Sequence, residues 1–483
     1  MNILQRALKE LDNRNIKYLS FKGNTGLHKV FSGKGDLDVL VDKSRAGEAC
    51  SVFFAGGGKR VRASLGTDYP GTDNFLFFDE ESGEILHLHL YFCLILGKSY
   101  VAEYVLPLED LLMETRVWDE EFSLYKSEPA AELLLLVIRS AIEGKCDAEK
   151  YEALRLSADK ENLQGYAAKV FGEETAEEIR QICEKGDRPS GQGALMKRIR
   201  YHFKDCRRMS VPGAFFRSIW IFIRRRLDKR IFTARGTKVV KKAPQTGGAI
   251  IAFVGIDGAG KSSVIKDVRK WISDKAELKT WYMGTGDGKT TAYVSALKNA
   301  GKAVRGGKKG KRERDRERIF FFRSPVKYIK KILKLSLIGD VQRNNRRKLL
   351  IMNRFRMNGG ISICDRFPQI ETVGQNDGLK AVVYRDVLGD NLITRHFIRK
   401  EENCLSIVKK VKPDLVIRLT VEPREGLMRK GDEINKANIA AHKKKMEELM
   451  SVEYQGARIV NIDTSMPYEE ELLMIKRLLW EFI

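Results

Sequence analysis

The chain has 483 residues and a formal net charge of +24 at pH 7, with 43% hydrophobic and 31% charged residues. This is the composition of a globular protein too long for one ordinary core, and length alone predicts about three domains. No apolar run approaches the roughly 18 residues needed to span a bilayer, and the seven scattered cysteines, with no C-x-x-C pair, indicate neither a disulfide framework nor a zinc site.

The charge is concentrated. Residues 301 to 350 hold 18 Lys+Arg against 4 Asp+Glu, and residues 191 to 250 hold 16 against 2. The basicity therefore belongs to two segments, each a candidate for docking on a polyanion, and not to the folded domains.

The N-terminus, Met1-Asn-Ile-Leu-Gln-Arg-Ala-Leu, has the spacing of an amphipathic helix and none of the features of a signal peptide, so a cytoplasmic protein is expected. Ile16 to Phe21 reads as a strand, Lys22 to Gly26 as a turn, and a helix through His28 follows. In the strand Gly35-Asp-Leu-Asp-Val-Leu-Val41, period two puts Asp36 and Asp38 on one face, where both carboxylates can hold one divalent cation. This arrangement resembles the nucleotidyltransferase superfamily, whose core joins a glycine-containing turn, a D-x-D pair and a third carboxylate on a later strand. The resemblance covers roughly residues 15 to 95. On the later strand, Glu84 to Phe92, the third acid's place is taken by His87, and neutral imidazole is a poor ligand for Mg²⁺. The site is impaired, uses another metal, or draws on Asp68, Asp73 or Asp79.

Residues 105 to about 185 carry helical patterns: Pro129 in a first turn ahead of an apolar helix to Ile142, then helices from Asp147 to about Val170 and from Glu173 to Glu184. They are expected to cap the first domain, which ends near residue 187. Gly186 to Gly193 reads as a break, and residues 188 to 247 as a basic helical linker. Within it, Phe215 to Phe232 interleaves aromatic and aliphatic residues with arginines, as in a basic amphipathic helix. Such a helix lies on an anionic membrane surface or on nucleic acid, or packs its apolar face on a neighbouring domain. Residues 233 to 248 are polar and glycine-dotted, as in a linker.

The second half opens on Ala249-Ile-Ile-Ala-Phe-Val-Gly-Ile-Asp-Gly-Ala-Gly-Lys-Ser-Ser-Val-Ile265. A β-branched run, a glycine-rich bend and a helix opening at Lys261-Ser262-Ser263 make G-x-x-x-x-G-K-[ST] a phosphate cradle. Glycines at 255, 258 and 260 let backbone N–H groups, with those of Asp257 and Ala259, converge on a phosphate. Lys261 supplies a point charge, Ser262 a hydroxyl for Mg²⁺, and the helix N-terminus a positive dipole end. Further on, Ile361 to Cys364 reads as a buried strand, with Asp365 at its carboxyl end placed to hold Mg²⁺ and Arg366 beside it suited to an acceptor phosphate. Pro413 to Pro423 is a strand leading into a helix that carries Arg429 and Lys430, and Ala457 to Thr464 precedes a last helix.

Residues 248 to 483 resemble the thymidylate kinase family. The resemblance rests on Gly-Ile-Asp-Gly-Ala-Gly-Lys-Ser, Asp365-Arg-Phe367, Pro413-Asp-Leu-Val-Ile with its Glu422-Pro423, Arg429 in the place of the lid arginine, and Ile462-Asp-Thr464. It implies an α/β P-loop kinase domain, a parallel sheet flanked by helices, joined to an α/β nucleotidyltransferase-like domain with a helical cap. It also implies ATP and Mg²⁺ as cofactors, Lys261, Asp365, Arg366 and Arg429 as catalytic, and Asp257 beside the acceptor. The family's Arg-Glu-Pro-Gly-Gly loop is replaced here by Met283-Gly-Thr-Gly-Asp-Gly-Lys289, and the stretch from about 290 to 350 is longer and more basic than a compact kinase needs. The expected activity is phosphoryl transfer to a nucleoside monophosphate or a similar small phosphorylated acceptor. The alternatives are an NTP-binding protein docked on nucleic acid or an anionic membrane, or a kinase of a sugar or lipid-linked acceptor. A homodimer and a peripheral membrane location stand among the expectations.

Overall fold

The computed structural model describes residues 1–189, 193–227, 239, 241–284, 316–373 and 378–483. The linker stretch 228–238, the loop residues 285–289 and the basic stretch up to residue 315 lie outside the described residues.

The first half is built on strands β1 (Tyr18–Lys22), β2 (Asp36–Val41), β3 (Lys59–Arg62), β4 (Thr72–Asp79) and β5 (Glu84–Tyr91), followed by β6 (Leu94–Leu96), β7 (Tyr104–Leu106), β8 (Arg116–Asp119) and β9 (Leu124–Ser127). With β10 (Ala243–Pro244) from just before the second half, they form a mixed eight-stranded sheet in the order β10-β3-β4-β5-β2-β1-β9-β8, while β6 and β7 pair separately. The linker therefore contributes an edge strand to the first sheet.

The second sheet is parallel throughout: β11 (Ile250–Gly255), β12 (Leu278–Tyr282), β13 (Ile361–Asp365), β14 (Leu415–Thr420) and β15 (Arg458–Asp463), in the order β12-β13-β11-β14-β15. Renumbered within this half, that is 2-3-1-4-5, with the chain reversing direction across the sheet at the central β11. Such a switch point opens a crevice at the carboxyl ends of the strands. Strand β11 is an unbroken apolar run because both its faces are covered. Ile251 and Phe253 face the helices Lys261–Ser273 and Tyr468–Trp480, and Ile250, Ala252 and Val254 face the other core with Leu349, Met352 and Leu449.

The first sheet has one face covered by the helices Ile3–Asn13 and Ala46–Ala55, through Leu4, Leu8, Val52 and Phe53. Its other face carries two covers. Leu19, Phe21, Leu40 and Tyr91 lie under the apolar helix Pro129–Glu143. Val61, Leu76, Phe78 and Ile85 share one core with Trp271, Ile475 and Leu479 of the second half. Phe78 sits edge-on to Trp271 at 5.8 Å and tilted against Trp480 at 5.9 Å.

Two expected elements differ. Residues 116–127, read as part of a helical region, form the β8–β9 hairpin, where Trp118 meets Tyr125 across the pair. The single helix expected from Asp147 to Val170 is two, Ala148–Ser157 and Lys160–Phe171, because Asp159 accepts a bond from Asn162 N and starts a new helix. The Glu128 carboxylate caps the helix that Pro129 opens, accepting from Ala130 N and Ala131 N. The distal part of the basic stretch is one helix, Arg316–Met357, whose later turns fasten the β12 end: Asn345 donates to Met283 O at 2.9 Å and Lys348 to Tyr282 O at 2.6 Å.

Candidate functional site

The bend after β11 is shaped by residues that tolerate what a side chain does not. Gly258 (φ +87°) and Gly260 (φ +78°) occupy the left-handed region. A Cβ on Gly258 would also lie 2.1 Å from Gly426 O, on the helix Pro423–Lys430. This close approach brings the helix that carries Arg429 and Lys430 against the loop. Gly260 immediately precedes the helix Lys261–Ser273, where Ser263 N donates to Gly260 O at 3.0 Å and the amides of Lys261 and Ser262 open the first turn toward the loop. Lys261 is nearly buried, and its ammonium donates to Gly255 O at 3.0 Å and Ile256 O at 2.8 Å.

A cleft of about 770 Å³ opens at this point. Asp257, Gly258, Gly260, Lys261, Ser262 and Ser263 line it from the loop, Asp365 and Arg366 from the end of β13, and Arg429 from the neighbouring helix. Gly255 ends β11 beneath it and Ala259 is buried behind the loop. The β11–β13 register sets Phe253 beside Asp365, and Arg366 N continues the ladder by donating to Phe253 O at 2.9 Å.

The electrostatics of the cleft are uneven. Burial raises the Asp365 carboxyl above its ordinary range despite Lys261 and Arg366, with Asp257 adding to the rise. Its Oδ1 is buried with no hydrogen-bond partner among the described residues. Burial would raise Asp257 as well, but Arg366, Lys261, Lys430 and Lys445 outweigh it and hold this carboxyl low. Asp257 Oδ1 pairs with Arg366 at 3.1 Å and Oδ2 lies 3.8 Å from Lys430 Nζ. Arg366 has φ +68°, uncommon for a side-chain-bearing residue and costing about 1 kcal/mol. Arg429 donates to Thr464 Oγ1 at 3.1 Å, to Thr464 O at 2.8 Å and to Glu425 at 2.6 Å.

An orphaned carboxylate oxygen on a cleft that Ser262 and a cationic loop also line fits a Mg²⁺ ion that would take its remaining ligands from phosphate and water, the usual mode for this cation. Among the described residues no group of three or more His, Cys, Asp or Glu side chains could hold a metal without such a ligand. Sequence reasoning named Lys430 and Thr464 without giving either a role and missed Tyr468 and Glu471, all of which also line the cleft. The lone Gly426 inside a helical pattern was the one available signal of a close backbone approach.

Asp36 and Asp38 do share one face of β2, and the parallel register sets His87 beside Asp36 and His89 beside Asp38. That face is the seam between the two covers of the first sheet. Asp36 Oδ1 lies 2.6 Å from His87 Nδ1 and 4.0 Å from Lys275 Nζ, and Oδ2 lies 3.9 Å from Lys242 Nζ. Asp38 Oδ1 lies 3.3 Å from both Lys22 Nζ and His89 Nδ1. Glu132, buried, accepts from Gly23 N at 2.6 Å and Asn24 N at 3.2 Å, occupying the turn's amides. Of the alternative acids, Asp73 is forked by Arg60 and Asp79 caps its own turn through Ser82. Asp36 and Asp38 are paired from within this strip, although His89 Nε2 is buried without a hydrogen-bond partner, and among the described residues no group of three or more His, Cys, Asp or Glu side chains there could hold a metal. Burial alone would raise both Asp36 and Asp38, but the surrounding His and Lys groups hold both carboxyls well below their usual range.

No family model matches the chain. Over 224 residues it is 25% identical to the Uncharacterized ATP-binding protein YghR of Escherichia coli K12, covering 46% of this chain and 83% of that protein. It is 24% identical over 224 residues to the Uncharacterized ATP-binding protein YghS of the same strain, covering 46% and 89%. Among solved structures it is similar to deoxyadenosine kinase from M. mycoides with bound dATP, at 16% identity, 48% and 98% coverage and a TM-score of 0.27. A second is thymidylate kinase from Ehrlichia chaffeensis, at 14%, 48%, 98% and 0.25. The parallel strand order and the glycine loop themselves define the second half as a P-loop fold.

Proposed function

We propose that this chain is an ATP-dependent kinase that transfers the γ-phosphoryl group to a nucleoside monophosphate or a similarly small phosphorylated acceptor. The observation that carries the reading is the convergence of Lys261, Ser262, Asp365, Arg366 and Asp257 on one cleft at the switch point of a parallel sheet. Relatives described as ATP-binding support the choice of nucleotide.

Phosphoryl transfer asks mainly for positioning and charge neutralisation. The loop amides and Lys261 hold the triphosphate, Lys261 turning from the loop carbonyls to the phosphates. Ser262 and Asp365 would hold Mg²⁺, which would offset the negative charge of the phosphates. Arg366 and Asp257 form the acceptor side, where the guanidinium fork matches a phosphate. Arg429, on the cleft wall, exchanges its surface pairing with Glu425 for the transferring group, and a pair that exposed is worth little to lose. For the first half we propose a supporting role, because its acid pair is neutralised by neighbouring His and Lys side chains, Lys242 and Lys275 of the later chain among them.

The test is ATP consumption by the full chain against a panel of nucleoside monophosphates and small phosphorylated metabolites. One or more acceptors should stimulate turnover, and Lys261→Ala should abolish it. Turnover unchanged in that variant removes the assignment.

A further inference from the structure

The helix Val211–Leu227 is mounted with its faces reversed relative to an ordinary surface helix. The residues it turns toward the protein are Ala214, Arg217, Ser218, Ile221 and Arg225, spaced three and four apart along one face. Arg217 donates to Tyr100 O at 3.4 Å, and Arg225 donates to Leu65 O at 2.7 Å while its guanidinium stacks 4.6 Å from the Tyr100 ring. Ile221 packs so closely that a Cβ on Gly66 would meet it at 2.7 Å. Two arginines and one aliphatic residue thus dock the helix on loops of the first half.

The opposite face carries Phe215, Phe216, Ile219, Trp220, Phe222 and Ile223, all exposed to solvent, Phe216 to 68% and Trp220 to 62%. Exposed Arg224 and Arg226 accompany this face, and Arg226 lies 4.8 Å from the Phe222 ring. A contiguous apolar surface of this kind on a protein marks an interaction site. Its chemistry narrows the partner. A second copy of the same face would bring arginine against arginine. A nucleic acid duplex would engage the arginines and leave the apolar side chains in water, and a single strand would stack bases on the four aromatic rings but leave Ile219 and Ile223 in water. The interface of an anionic bilayer takes both, with aromatic rings at headgroup depth and guanidinium groups on lipid phosphates. At 17 residues the helix is about 25 Å long, and its outward apolar face edged with arginines suits an element lying in the membrane plane. Among the described residues no helix is long and apolar enough to cross a membrane.

We infer that Val211–Leu227 is an interfacial anchor that seats this protein on an anionic phospholipid surface through its outward aromatic face. The anchoring is independent of the kinase reading, since none of these residues lines the cleft. The experiment is co-sedimentation of the full chain with vesicles of phosphatidylcholine alone or with about 30% phosphatidylglycerol, a content typical of an anionic surface, at two salt concentrations. Trp220 emission is followed by difference against Trp220→Tyr. Binding should favour the anionic vesicles, weaken with salt, and shift Trp220 emission to the blue. The variant Phe216→Ser/Trp220→Ser/Ile223→Ser should bind roughly tenfold or more weakly with an unchanged thermal unfolding midpoint, because the replaced side chains are already in water. Absence of vesicle binding, equal binding by the variant, or an unshifted Trp220 overturns the inference. So does a wild-type dimer that the same variant converts to monomer without any vesicle association.

Discussion

Arg366 shows how a single backbone angle can separate stability from chemistry. Its φ of +68° disfavours any residue with a Cβ, yet its amide completes the β13 ladder and its guanidinium reaches Asp257. The cost persists because the strand end fixes the peptide and the site uses the side chain. Arg366→Gly removes the Cβ clash, while Arg366→Ala keeps it, and both lose the same half-exposed ion pair. Arg366→Gly is therefore expected to unfold at the higher denaturant concentration, by up to about 1 kcal/mol after the extra entropy of glycine in the unfolded chain. Both variants should lose acceptor-dependent turnover by roughly 10² or more, the scale seen when one preorganised donor is removed. Equal unfolding midpoints would show that the angle carries no strain. The loop was legible from sequence for the same physical reason: Gly258 and Gly260 adopt conformations that leave glycine the natural choice. Tyr468 and Glu471 were not, because a helix residue that lines a cleft formed by distant segments has no local signature.

At the scale of elements, the polar strip on β2 and β5 explains both what was readable and what was not. Period two placed Asp36 and Asp38 together, the nucleotidyltransferase resemblance drew attention to His87, and the register sets His87 beside Asp36. The groups that neutralise them arrive from far along the chain, Lys242 before β11 and Lys275 after the helix Lys261–Ser273. No pattern within residues 15 to 95 could announce them. His87 is 1% exposed and faces Asp36, Asn74, His89 and Lys242. Burial pushes its imidazole down to about 4, the Asp36 carboxylate opposing and Lys242 reinforcing the shift. Between about 6.5 and 4 the unfolded chain therefore binds a proton at this residue that the folded chain refuses, so stability falls as pH falls through that window. From pH 7 to pH 5 the loss from His87 alone is about 2 kcal/mol. Asp36 and Asp38, held low, lose their contribution only in more acid solution. Urea midpoints of wild type and His87→Gln at both pH values check this: the difference between them should shrink by that amount in favour of the variant at pH 5. Parallel pH dependence in the two proteins would place the imidazole's proton affinity near its ordinary value.

For the whole molecule, the sequence suggested two domains joined by a linker, whereas the described residues share one core across the joint. Strand β4 shows why. Asn74 to Asp79 is buried throughout, with Phe75 and Phe77 toward the helices Ile3–Asn13 and Ala46–Ala55 and Leu76 and Phe78 toward the second half. Four consecutive apolar residues indicate a strand covered on both faces, but they do not say which distant segment provides the second cover. That cover includes Trp271 on the phosphate-loop helix and Trp480 on the last helix, flanked by the Lys476–Glu84 pair at 3.1 Å. The helix that presents Lys261 to the cleft is thus anchored at its far end by the first half, through Trp271 and through Lys275 against Asp36. Phe78→Ala opens a cavity at this junction and is expected to cost about 3–5 kcal/mol. Because the core is continuous, the loss should appear in both halves together. Trp271 and Trp480 fluorescence and the far-ultraviolet circular dichroism should report one cooperative transition in wild type, displaced as a unit in the variant. Two separated transitions, with only the first half destabilised, would show that the junction is a contact between independent domains and that the phosphate loop holds its shape without it.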